Sequence, residues 1–266
     1  MLMGATPATV RHRLHRLRAT MSRAFEHLDS QPTAIGEISL RRRLEPTLQV
    51  DVWEVKLGGE FLMSSLFTAG EEAVADLGLA AVSAADEAEL RVVVGGLGLG
   101  HTARRALADP RVGSMHVVEA LAPVIGWHER HLVPLGAQLT GDPRCVFVHG
   151  DFFAMIDDGF PPGIGHDLDA ILLDIDHTPS HLLDVSHADF YRPEGLRRVV
   201  DHLRPGGVFS LWSDEFSPNE AFVDVMSTVF ATVEAHVVAF PNHYTGGQST
   251  STIYLATGTS TEPRRR

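Results

Sequence analysis

The chain of 266 residues has one lysine, Lys56, and one cysteine, Cys145. A single cysteine excludes an internal disulfide framework and fits a reducing compartment. No apolar run approaches the ~20 residues needed to span a bilayer, and the N-terminus has no apolar signal core. The sequence therefore predicts a soluble, cytoplasmic protein with no membrane partner. A formal net charge of -12 leaves few cations to displace phosphate counterions, so nucleic acid is not an expected partner. The single lysine itself carries no functional weight, because arginine supplies every other basic side chain.

Arginines 11, 13, 16, 18 and 23 interleave with Val10, Leu14, Leu17, Met21, Phe25 and Leu28 at three-and-four spacing. That pattern predicts an amphipathic helix within residues 1–30, docked on the protein or across a homodimer interface. Residues 31–88 read as a small β-rich domain. Alternation over 48–52 and 60–63 around Gly58-Gly59 predicts a hairpin, and an apolar phase slip near Trp53 predicts a bulge. Thr68 and Glu71 have capping-box spacing, which predicts a helix over 69–77 that stops at Gly78.

From residue 89 to 258 strands near 90–95, 114–118, 145–149, 169–174 and 207–212 alternate with helices, which calls for a parallel sheet. Two further β segments, 235–240 and 251–256, flank a loop containing Gly246-Gly247 and predict an antiparallel hairpin. Residues 259–266 read as a frayed tail. The fold class is α/β, a doubly wound Rossmann-like sheet with an antiparallel C-terminal end.

The chemistry gathers where such a sheet places ligands, at the carboxyl ends of its strands. A glycine loop, Gly96-Leu97-Gly98-Leu99-Gly100, follows the first strand and lets backbone N–H groups approach a ligand. Glu119 ends the second strand, nineteen residues after Gly100, where a carboxylate accepts from ribose hydroxyls. Asp151 follows the third strand, Asp174 and Asp176 the fourth, Asp214 and Glu215 the fifth. The expected ligand bears a nucleoside.

The ordered set of Gly96 to Gly100, Val118-Glu119, His149-Gly150-Asp151, Asp169 to Asp174, Leu203 to Val208 and Phe240-Pro-Asn-His-Tyr-Thr-Gly resembles class I S-adenosylmethionine-dependent transferases. Within them the chain is most similar to spermidine synthases, the polyamine aminopropyltransferases, over about residues 46 to 257. The resemblance implies a cofactor, S-adenosylmethionine or its decarboxylated form, held by Gly96, Gly98, Gly100, Glu119, Ala120, Gly150, Asp151 and Asp174. It implies that Glu119 takes the ribose hydroxyls and Asp151 the adenine amino group. Asp174 aligns with the aspartate that deprotonates the attacking amine.

Three departures bear on the acceptor. Leu99 stands where spermidine synthases usually carry an Asp for the donor's amine end. His177 stands where a second Asp is usual, with Asp176 one residue earlier, and Met63-Ser64-Ser65 replaces a Tyr-His-Glu segment. The catalytic candidates are thus Asp174, Asp176 and His177; a solvated loop histidine is the plain alternative for His177. Asp214 and Glu215 could extend an acidic substrate pocket, and His243 and Tyr244 could wall it from the hairpin loop. Pro179 makes a helical His177/His181 metal pair unfavourable, so no metal site is expected. Three functions stay open: methyl transfer to a small, amine-bearing acceptor, aminopropyl transfer to a polyamine, or a non-catalytic nucleoside-binding homolog.

Overall fold

The computed structural model describes residues 25–83 and 89–259. It divides into two units at the Leu66/Phe67 junction. The first is an antiparallel sheet of β1 (Phe25–Thr33), β2 (Gly36–Glu45), β3 (Val50–Leu57) and β4 (Glu60–Ser64), in that order. Period-two alternation separates its faces. Leu40 opposes Val55 on one face, both buried. On the other, Arg41 and Arg43 hold the buried Glu54 carboxylate at 2.5 and 2.7 Å, and Arg43 also reaches Glu45 at 2.7 Å. Arg42, pointing the opposite way, lies over the Trp53 ring and pairs with Glu26.

Residues 10–24 of the expected amphipathic helix lie outside the described residues. Its last members do not continue it: Phe25 and Leu28 belong to β1. Cross-strand contacts with the arginine run decide the matter, with Phe25 opposite Arg43, Glu26 paired to Arg42, and Arg41 over the Phe25 ring. The register slip foreseen near Trp53 falls between Val55 and Lys56 against β4.

The second unit runs α1 (Ala69–Ala81), β5 (Leu90–Gly95), α2 (His101–Leu107), β6 (Val112–Glu119), α3 (Ala122–Glu129), α4 (Gly136–Gly141), β7 (Cys145–His149), α5 (Phe152–Asp158), β8 (Leu168–Leu173), α6 (Pro193–His202), β9 (Leu203–Ser213), α7 (Glu220–Ser227), β10 (Thr232–Asn242) and β11 (Gly247–Thr257). Seven strands form one sheet in the order β10-β11-β9-β8-β5-β6-β7. β9, β8, β5, β6 and β7 are parallel; β11 pairs antiparallel with β9, and β10 with β11. β8 is buried at all six positions and β5 at five of six, which is why both read as continuous apolar runs. Among the described residues no helix is long and apolar enough to cross a membrane.

Helix α1 departs from the sequence reading in two ways. It belongs with the larger unit, packing on β8, β9 and β11, rather than with the β-rich segment 31–88. It also continues past Gly78 to Ala81. A Cβ at Gly78 would lie 2.7 Å from Leu172 Cδ2 and 3.1 Å from Ser210 Cβ, so this glycine permits close helix–sheet approach and does not end the helix.

Candidate functional site

The chain lays β5, β6 and β7 outward in one direction, then returns to place β8 and β9 on the other side of β5. Their connections diverge at the β5/β8 boundary, and the crevice this leaves is where doubly wound sheets take ligands. The glycine loop leaves β5 here and Asp174 leaves β8. Gly96 has φ +94°, and a Cβ on it would collide with the Asp174 carbonyl oxygen. Only glycine lets the loop lie flush against the strand end that carries Asp174.

Asp174 is held from α2: Thr102 Oγ1 donates to its Oδ2 at 2.8 Å. Desolvation raises the carboxyl to about 6, with the Thr102 bond opposing the rise. The hydroxyl also lies 3.1 Å from the Glu71 carbonyl oxygen, so the first turn of α1 adjoins the same place. The Glu71 carboxyl is driven to about 8, first by desolvation and then by the Asp174 charge.

Glu71 is the functional candidate that the sequence reading missed, having been read as half of a capping box. Thr68 makes no side-chain cap bond to the helix; its hydroxyl lies 3.3 Å from Glu72, which pairs with Arg104 at 2.6 Å. Glu71 is left facing Asp174. Three-residue spacing cannot distinguish these outcomes, because the docking of α1 on the sheet decides them.

Glu119 ends β6, and its carboxylate accepts from the Leu97 N–H at 3.1 Å and the Leu121 N–H at 2.8 Å. Desolvation raises its pKa, partly offset by N–H groups at Leu121, Leu97, Gly98 and Ala120. The β6 and β7 ends are tied together: the Gly150 N–H donates to the Glu119 carbonyl, and His149 Nε2 to the Ala120 carbonyl. Asp151 caps α5, its Oδ1 accepting from Phe153 N at 2.8 Å and Ala154 N at 3.3 Å. The side chain is exposed, and its Oδ2 accepts no bond among the described residues.

Under the glycine loop, His128 is completely buried, with Nε2 2.9 Å from the Gly98 carbonyl oxygen. Burial lowers its pKa to about 4, and does the same for His101 at the start of α2. Both imidazoles are neutral at pH 7.

Two expected site acids are engaged elsewhere. Asp176, 1% exposed, accepts from Leu183 N at 2.7 Å, His187 Nδ1 at 2.9 Å and Tyr191 Oη at 2.9 Å. Its carboxylate organises the segment between β8 and α6. Glu215 accepts from Tyr254, Ser213 and Asn219, and so fixes the turn between β9 and α7. Asp214 instead lies beside His177 and His181, which counter the desolvation that raises its pKa, and its N–H donates to the His177 carbonyl at 2.7 Å. His243 and Tyr244 cap the β10–β11 hairpin against Phe67, at ring separations of 6.5 and 5.8 Å. Among the described residues no three His, Cys, Asp or Glu side chains converge as a metal site.

No family profile matches the chain. Solved structures do resemble it. A spermidine synthase in complex with the transition-state analogue AdoDATO superposes with TM-score 0.67 at 18% identity, over 86% of this chain and 73% of that one. The spermidine synthase from Thermotoga maritima gives 0.65 at 18% identity, over 86% and 72%. Human methyltransferase-like protein 13, in complex with SAH, gives 0.51 at 17% identity, over 74% and 84%. At such identities the likeness speaks to fold alone. The chain has the class I S-adenosylmethionine-dependent transferase fold in its spermidine synthase-like form.

Proposed function

We propose that the protein is an enzyme that transfers a carbon group from an S-adenosylmethionine-type sulfonium donor to a small acceptor, and we favour methyl transfer to an amine. One observation carries the reading: Asp174, whose backbone lies flush against Gly96 of the glycine loop at the sheet's switch point, carries a desolvated carboxyl with its pKa raised to about 6. The chain's own groups suit such a donor. The Glu119 carboxylate stands at the β6 end for ribose hydroxyls, and the uncommitted Asp151 oxygen at the β7 end suits an adenine amino group.

When bound, the sulfonium supplies an activated carbon with a neutral thioether leaving group, so the protein is asked mainly to align and deprotonate the acceptor. Deprotonating an amine of pKa ~10.4 at pH 7 costs about 3.4 units, or ~4.6 kcal/mol. Asp174, ionised above about pH 6, can hold the acceptor's ammonium and then take its proton. Glu71, neutral below about pH 8, keeps the pair at one negative charge at neutral pH. Asp214 adds a second carboxylate on the acceptor side, with His177 and His181 beside it. His243 and Tyr244 supply an aromatic wall.

Leu99 favours the intact donor. It is buried and apolar at the loop position where spermidine synthases usually carry an Asp for the donor's amine end. Aminopropyl transfer is the second reading, favoured by the two spermidine synthase likenesses. Calorimetry with intact and decarboxylated S-adenosylmethionine, followed by mass analysis of amine acceptors, separates them. Tighter binding of the intact donor and a gain of one methyl are expected. Turnover of putrescine or spermidine with the decarboxylated donor would put aminopropyl transfer first. Binding without turnover of any acceptor would leave a nucleoside-binding homolog.

A further inference from the structure

His128 lies beneath the glycine loop and, through the Gly98 carbonyl, determines how the loop presents its backbone. A carbonyl only accepts, so the 2.9 Å contact requires Nε2 to carry the proton and donate to the Gly98 oxygen. Nδ1 is then the unprotonated nitrogen, and it is buried without a partner among the described residues. The ring is lodged tightly. A Cβ at Gly100 would come within 2.9 Å of its Cε1, and a Cβ at Gly136 within 2.6 Å of the His128 carbonyl. Phe147 meets its edge at 5.6 Å.

The Gly98 carbonyl and the Leu99 N–H belong to one planar trans peptide and point in opposite directions. Drawing the carbonyl inward onto a fully buried histidine therefore turns the Leu99 N–H away from the interior. Among the described residues no group accepts from that N–H. Gly98 has φ +47°, in the region where glycine lets a peptide turn over at little steric cost, so the orientation needs something to hold it. Along the sheet, Asp151 follows β7, Glu119 follows β6 and the loop follows β5. A ligand with adenine at the first and ribose at the second would lay its tail over the loop.

We propose that His128 is a positioning residue that locks the Gly98–Leu99 peptide so that the Leu99 N–H is offered to an acceptor atom in the tail of the bound sulfonium or thioether nucleoside. This rests on the nucleoside-site reading above. It predicts that the tail, and not the nucleoside, senses His128.

The test compares S-adenosylhomocysteine, which carries the tail, with 5′-methylthioadenosine, which lacks it. Affinities are measured by calorimetry on the full chain, below the thermal midpoint of each variant. His128→Leu removes the donor and should weaken S-adenosylhomocysteine about tenfold, the scale of one lost hydrogen bond, while 5′-methylthioadenosine changes less than about twofold. His128→Gln places an amide nitrogen at the same reach as Nε2 and should restore S-adenosylhomocysteine to within about threefold. Equal losses for both ligands, or no rescue by glutamine, would reduce His128 to packing and overturn the proposal. Should His128→Leu fail to fold, the wild-type protein labelled with ¹⁵N-leucine decides. The Leu99 amide resonance should shift with S-adenosylhomocysteine and stay in place with 5′-methylthioadenosine; indifference to both overturns the proposal. A wild-type chain that binds neither compound would overturn the nucleoside-site reading itself.

Discussion

Asp174 and Glu71 occupy one desolvated place, which raises the pKa of both carboxyls. With Asp174 as the acceptor's base, kcat/KM should rise as pH passes through about 6, where that carboxyl ionises. Asp174→Asn should lower kcat by ~10²–10⁴ while S-adenosylhomocysteine affinity stays within a few-fold, as expected for loss of a general base. Steady-state rates and calorimetry on the same preparation check it; a loss confined to affinity would move Asp174 from base to binding group. Both carboxyls hold their protons more tightly folded than unfolded. Their stabilising contribution is therefore complete below about pH 4 and is lost as pH rises through about 6 for Asp174 and about 8 for Glu71. Glu71→Gln removes the upper part of that loss. The variant should be more stable than wild type at pH 8.5, by about 1–3 kcal/mol, and nearly equal to it at pH 4. Urea titrations at the two pH values measure the difference.

At the level of elements, legibility tracked burial. β5 and β8 are covered on both faces, so their apolar runs are continuous and their limits were read to within a residue. β1 was read as the end of a helix because Phe25 and Leu28 satisfy three-residue spacing, and the arginine run that pairs with it gives no strand signal by itself. The strand-end placement of Glu119 and Asp174 was legible because the apolar runs before them mark β6 and β8. Asp176 and Glu215 have the same sequence context as Asp174 and Asp214, and only the positions of Tyr191, His187 and Tyr254 show that they turn away. Gly78 was misread for a related reason, since a glycine that stops a helix and one that admits a sheet look alike in sequence. Its role gives a prediction with opposing terms. Gly78→Ala gains up to ~1 kcal/mol of helix propensity. It also forces a methyl against Leu172 and Ser210, an overpacking that typically costs ~1–3 kcal/mol. The variant should therefore lose stability, by denaturant midpoint at constant m-value, although alanine is the better helix former.

On the scale of the whole molecule, charge is the dominant property. A net charge of -12 sets up a negative field that would draw the amine acceptor proposed above toward the molecule. kcat/KM for an amine acceptor should then fall as ionic strength rises and the Debye length contracts from ~30 Å at 0.01 M to ~8 Å at 0.15 M. Binding of S-adenosylhomocysteine, which carries no net charge, should change far less over the same range. Stopped-flow or initial-rate measurements across a salt series distinguish steering from a uniform loss of activity.

With one cysteine the molecule has no disulfide to hold the long segment between β8 and α6, and Asp176 stands in for one. Its carboxylate closes chain loops of 7, 11 and 15 residues at once, to Leu183, His187 and Tyr191. Once the first is closed, the longer two add little entropic cost, because that cost grows only with the logarithm of loop length. All three share one side chain, so removing it frees the segment between β8 and α6 at three points at once. Asp176→Ala should open it as a unit. Limited proteolysis would then cut between residues 177 and 190 in the variant while the wild-type segment resists.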